Sequence, residues 1–225
     1  MKRILILLSA AVMVISAASC KKDTPLSSEE SKLIGHWACA WSQTNDEAPY
    51  VLHASSLVFN NNRTATLYWG SYVYQFNYWS YDGGNLVLKG DVAPDESTLE
   101  DFSEKQMTWI HDWNNGHGPH HKEIYVNVGK NAPGRWNVKW PGRSYFVDFL
   151  ADGTSMWEFA DDLSYAGSYT WSLAVNTEGR TVIQIRSAHY NTDLIIKQIV
   201  NENYIVVHSS KADEDCDVEM KRVIE

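Results

Sequence analysis

The stretch "GHWACAW" occupies residues 35–41, and "GRWNVKW" occupies residues 134–140. Trp37 and Trp41 fall on Trp136 and Trp140 at one constant offset, with Cys39 on Val138 between them. Large apolar residues at every second position mark a strand that buries one of its faces. Each stretch therefore reads as an opening strand, and the chain opens twice.

The correspondence extends outward. "SLVFNNNRTATLYW" (56–69) matches "YFVDFLADGTSMWEF" (145–159), with Phe59 on Phe149 and Thr64 on Thr154. "YVYQFNYWSYDGGNLVLK" (72–89) answers "YAGSYTWSLAVNTEGRTVIQIR" (165–186), and "KQMTWIH" (105–111) answers "NENYIVVH" (201–208), which sets His111 on His208. Such self-similarity predicts two copies of one unit, over residues 30–130 and 131–225. β-branched and aromatic residues dominate both copies. Turn signals punctuate them at Asn60-Asn61-Asn62, Asp82-Gly83-Gly84, Ala151-Asp152-Gly153 and Thr177-Glu178-Gly179. Eight strand candidates fall in each copy. An eight-stranded meander can close on itself and abolish its edges, so the expected fold is all-β: two tandem antiparallel eight-stranded up-and-down barrels.

The order of these motifs resembles the short lipocalin-like domains of bacterial lipoproteins. An "L-x-G-x-W" start is carried by Leu33, Gly35 and Trp37, and its Gly-x-Trp recurs as Gly134 and Trp136. Hairpins follow at Phe59 and Phe149, then aromatic strands at Tyr74 and Phe76 and at Tyr169 and Trp171. The resemblance implies a barrel with an arginine of the last strand laid over the first-strand tryptophan. Arg222 can take that part in the second copy, whereas "KEIYVNV" (122–128) offers no arginine in the first. The helix that follows the barrel in longer lipocalins has no counterpart here.

The N-terminus reads "MKRILILLSAAVMVISAASCKKD" (1–23). Lys2 and Arg3 precede a short apolar run and small residues, the layout of a secretory signal. "ISAASC" resembles a lipobox, which makes residues 1–19 a leader and Cys20 the acylated first mature residue. Residues 20–29 read as a polar tether. Multiple acyl chains anchor stably, so the expected address is the outer membrane of a Gram-negative bacterium, on its periplasmic or surface face. Loss of Lys2 and Arg3 with the leader takes the formal charge from −9 to −11. An acidic body argues against nucleic-acid partners.

"HDWNNGHGPHHK" (111–122) holds four of the eight histidines. His117, His120 and His121 are the candidate metal ligands, but their spacing is that of no established zinc motif. Adjacent His120 and His121 on a strand would point apart. A solvated hairpin loop that takes zinc opportunistically is the expectation, with no resident cofactor. Tyr68, Trp69, Tyr72 and Tyr74 surround the Gly70 turn and, with Trp113, form a candidate ligand rim. Trp37, Trp41, Trp136 and Trp140 read as core; Trp79 and Trp113 read as freer to be exposed. Cys39 and Cys216 could pair in an exported protein, although Cys39 stands at a core position.

Glu100, Asp101, Glu104, Glu158, Asp161 and Asp162 lie on acidic stretches without a nucleophile, phosphate loop or other catalytic context. The expectation is a non-catalytic, lipid-anchored envelope protein that binds a small apolar molecule or a glycan. The alternative is a spacer whose filled barrels dock another envelope protein.

Overall fold

The computed structural model describes residues 24–45, 47–48, 55–94, 96–113, 119–211 and 215–224. The leader, Cys20 and His117 lie outside the described residues. A short helix, α1 (Ser28–Leu33), precedes eight strands: β1 (Gly35–Thr44), β2 (Ser55–Phe59), β3 (Ala65–Trp69), β4 (Tyr72–Asp82), β5 (Asn85–Gly90), β6 (Glu96–Glu100), β7 (Gln106–Asp112) and β8 (His120–Asn127). A second short helix, α2 (Val128–Asn131), leads into β9 (Gly134–Trp140), β10 (Arg143–Phe149), β11 (Thr154–Phe159), β12 (Tyr165–Val175), β13 (Thr181–Arg186), β14 (Asn191–Asn201), β15 (Tyr204–Ser209) and β16 (Cys216–Arg222).

Each set of eight is an antiparallel meander that closes, β8 on β1 and β16 on β9. The two tandem barrels anticipated from the repeat are thus present. β5 and β6 meet at one residue pair, Asn85 with Thr98, beside a cleft of about 320 Å³.

The two barrels share one floor design. The Trp37 indole donates to the Leu33 carbonyl at 2.7 Å, and the Trp136 indole donates to the Ala132 carbonyl at 2.8 Å. Each tryptophan thereby ties the end of its short helix beneath its own barrel. Gly35 and Gly134 turn the chain upward with φ of 133° and 126°, a region hostile to side chains. A Cβ there would also meet Asn127 at 3.1 Å or Arg222 at 2.5 Å.

The floor of the first barrel is further closed by a buried ion pair, Arg63 to Glu30 at 2.5 Å. This pair explains two departures from expectation. Ser27 and Glu30 form a reciprocal capping box, so the tether gives way to helix at Ser28 instead of running free through residue 29. Trp79, expected to be free, is 0 % exposed: its indole donates to the Asn60 carbonyl while Arg63 lies over its ring. Trp171 repeats that bond on the Leu150 carbonyl in the second barrel.

The floor of the second barrel is covered by the first. A register shift between Cys39 and Trp41 inserts Ala40 as an extra residue in β1. The bulge turns Trp41 away from the interior that its partner Trp140 keeps, and Trp41 packs against the second barrel's cluster instead. Ala38, Ala40 and Val126, from the outer wall of β1 and β8, join Val128 and Ala132 in one buried cluster with Trp136 and Phe149. Beside them the Ser56 hydroxyl donates to the Gly179 carbonyl at 2.9 Å and meets Thr181 Oγ1 at 2.8 Å.

Candidate functional site

The ends opposite the floors hold the polar and aromatic features. In the second barrel, strand parity brings Trp140, Tyr145, Trp157 and Tyr169 to one level of the interior, near the mouth. Phe159 and Ala166 from the ends of β11 and β12, and Tyr190 from the β13–β14 connection, complete a cup of about 190 Å³. Its rings touch in sequence: Trp140 with Tyr145 at 5.6 Å, Tyr145 with Trp157 at 5.6 Å, Trp157 with Tyr169 at 5.5 Å and Tyr169 with Tyr190 at 5.3 Å. The first three contacts are edge-on and the last is tilted, arrangements in which rings attract one another. Two cations line it as well. Arg143 lies over Tyr145 at 5.7 Å and Lys211 over Tyr190 at 4.5 Å. The buried Trp140 Nε1 finds no hydrogen-bond partner among the described residues. Below the cup, Val147, Phe149 and Val207 fill the barrel.

The first barrel differs at the same level. From β7 and β8, His111, His121, Glu123 and Tyr125 project inward and are all buried. Tyr125 OH donates to Glu123 Oε2 at 3.0 Å. Its single proton is then spent, so the 2.7 Å contact with Ser55 is Ser55 Oγ donating to Tyr125. His111 donates from Nε2 to the same Glu123 oxygen at 3.2 Å. Burial alone would raise the Glu123 carboxyl, but the bonds from His111 and Tyr125 hold it below its ordinary value. His111 is sandwiched between Trp109, at 3.8 Å, and His121, at 5.1 Å. Burial, and then the neighbouring His111, push His121 below its ordinary value.

The rim residues read from sequence separate by parity. Trp69 and Tyr74 face inward, Trp69 edge-on to His121 at 5.3 Å and Tyr74 against Trp113 at 5.7 Å. Tyr72 stands at the lip, 69 % exposed, opposite Trp69. Tyr68 pairs with Val73 and with Ser56, on the outer wall. Trp113 is half-buried and packs on the first barrel's core, not in solvent.

His120 and His121 do point apart: His120 is exposed and paired with Asp112 at 2.8 Å, while His121 enters the barrel. Among the described residues no group of three or more His, Cys, Asp or Glu side chains is arranged to hold a metal. His111 and His208, aligned by sequence, face opposite ways. His208 lies outside between Asp215 and Asp217, and it is Ser209 that shares the buried side in β15. Cys39 and Cys216 are not joined in a disulfide.

No protein-family model matches the chain, and no curated protein is similar to it. Among solved structures, a protein of unknown function from the DUF3598 family of Nostoc punctiforme is similar. It is 12 % identical, the match covers 85 % of this chain and 97 % of that one, and the TM-score is 0.27.

Proposed function

We propose that this chain is a non-catalytic binding protein whose second barrel holds a small, flat molecule carrying an acidic group. The observation behind this reading is the cup at the mouth of that barrel. Its walls are aromatic, its lining includes Arg143 and Lys211, and the buried Trp140 indole offers a donor. Aromatic walls suit a planar guest. Two cations and an N–H suit its carboxylate. At about 190 Å³ the cup is smaller than the roughly 300–1,000 Å³ of drug-sized sites, so it fits one ring system and not a long acyl chain.

The leader and lipobox support an address in the bacterial envelope, with Cys20 as the acylated residue and the acidic fold held outside the membrane. No helix among the described residues is long and apolar enough to cross a membrane. A spacer role is the second reading, favoured by the direct packing of the first barrel's wall on the second barrel's floor.

The test uses the chain from Thr24 onward, which contains every described element. Isothermal titration with 4-hydroxyphenylacetate and with tyrosol compares an acid with a neutral molecule of the same ring. The acid is expected to bind at least tenfold more tightly, and Arg143→Ala or Lys211→Ala to erase that preference. Equal affinities, or an acid preference untouched by both substitutions, would overturn the reading and favour the spacer.

A further inference from the structure

We propose that the seam between β5 and β6 of the first barrel is a docking slot for an extended peptide of a partner protein, taken up as an extra strand through main-chain hydrogen bonds. This inference stands on different residues from the cup and does not depend on it. The two strands meet at one residue pair, Asn85 with Thr98, beside which the Leu99 N–H donates to the Gly84 carbonyl at 2.7 Å. Beyond Asn85 the ladder stops, and the cleft of about 320 Å³ opens. The architecture does not demand such a gap. In the second barrel the equivalent strands, β13 and β14, pair over five residues, from Val182 to Arg186.

What the cleft presents is main chain. Gly83 and Gly84 have φ of 56° and 95°, the two-residue turn whose flanking pair, here Asp82 and Asn85, exchanges both hydrogen bonds. Main-chain groups alternate sides along a strand. Asn85 and Val87 therefore bond to β4, while the N–H and C=O of Leu88 face β6 and have no ladder partner among its described residues. The Leu86 and Leu88 side chains turn into the core and are buried, so the slot is not a pocket of side chains suited to an apolar small molecule. Pro94 lines it just before β6 begins and brings no N–H with which that strand could lengthen and close the gap. An open strand edge is a template for another strand. At about 320 Å³ the cleft has room for a short segment.

Charge and surface say which peptide fits. Asp82, Asp91, Glu100 and Asp101 are exposed along the borders of the seam. Lys89 of β5 lies over the Tyr78 ring at 5.7 Å, on the β4 side and away from the slot. Outward-facing Val87 is 41 % exposed and Val92 beside it 52 %. The fitting partner is an extended segment with β-branched residues along its length and lysine or arginine at its ends.

The probe is the end-blocked peptide Lys-Thr-Val-Thr-Val-Thr-Lys. One control carries N-methyl groups on its three central residues, which keeps the side chains and removes the main-chain donors; the other has glutamate at both ends. Calorimetry on the chain from Thr24 onward is expected to show the parent peptide at least tenfold tighter than either control. Val87→Lys, at an exposed position, sets like charge against the peptide and should weaken it severalfold. On binding, hydrogen exchange of the Leu88 N–H should slow about tenfold, while that of β13 stays as it was. Equal affinity for the N-methylated peptide, or Leu88 exchange unchanged with the peptide bound, would overturn the proposal. Slowing at Leu88 that grows with protein concentration and needs no peptide would overturn it too, by showing that a second copy of the chain fills the seam.

Discussion

The guanidinium carbon of Arg222 lies 4.5 Å from the ring centre of Trp136, directly across the β16–β9 ladder. The equivalent pair in the first barrel is Trp37 with Asn127. Arg222 also donates to the Pro133 and Asn131 carbonyls, closing the connection into the second barrel. Asn127 does the corresponding work with an amide, accepting from the Lys130 N–H and reaching the Ile34 carbonyl. Arg222→Ala forfeits the cation–π contact and leaves two carbonyls short, a loss of about 2–4 kcal/mol. Arg222→Lys should recover little of it, because an ammonium cannot lie flat and fork. Urea unfolding of the three proteins measures both.

Glu30 is held at about 2, chiefly by its hydrogen bonds from Arg63. A carboxyl depressed in the folded state contributes stability that is complete above its unfolded pKa and is lost as pH falls toward the folded one. The window is therefore roughly pH 4.5 down to 2, and the contribution is about 3 kcal/mol. Acid titration of stability should lose this increment in wild type and lack it in Glu30→Gln.

Glu30→Ala strands a buried guanidinium and should cost about 3–5 kcal/mol. Arg63 sits at φ 64°, where the second barrel has Gly153 at 85°. Combining Glu30→Ala with Arg63→Gly removes the stranded charge and relaxes the backbone, so the double variant should be more stable than Glu30→Ala alone. A simple sum of two losses would contradict this account.

Ser56→Lys forces an ammonium into the buried contact with Gly179 and Thr181. Calorimetric unfolding, expected as one transition in wild type, should divide into two as the barrels uncouple. Ser56→Ala should lower the midpoint without dividing it, since it removes about 1–2 kcal/mol of hydrogen bonding and keeps the packing.

Burial, and then the charge of Glu123, push the Cys39 thiol well above its usual range. Thiol labelling should reach half-buried Cys216 in the native protein and Cys39 only on unfolding.

Much of this was legible in the sequence because period-two alternation and turn chemistry are local. Strand parity put Trp37, Trp136 and Trp140 inside and forced His120 and His121 apart. Ala40 could not be read, because a bulge is decided by the fit of β1 to β8, and one extra residue reverses the direction of Trp41. The Ser27–Glu30 box was readable as S-x-x-E but was submerged in a polar run. The burial of Trp79 depends on Arg63, remote from any apolar pattern. The cup was hidden for the same reason: Arg143 opens β10 while Tyr190 and Lys211 lie in two later connections, and only closure of the barrel brings them to one rim.

The way Ala38, Ala40 and Val126 seal the second barrel has a temporal side. The N-terminal barrel contains its own stopper in α1, so it can reach its final form as soon as β8 has been made. The C-terminal barrel needs a finished neighbour to settle on. Chain growth delivers the two in the useful order: template first, dependent second. A circular permutant beginning at β9 would reverse that sequence and leave the dependent half waiting with its underside exposed.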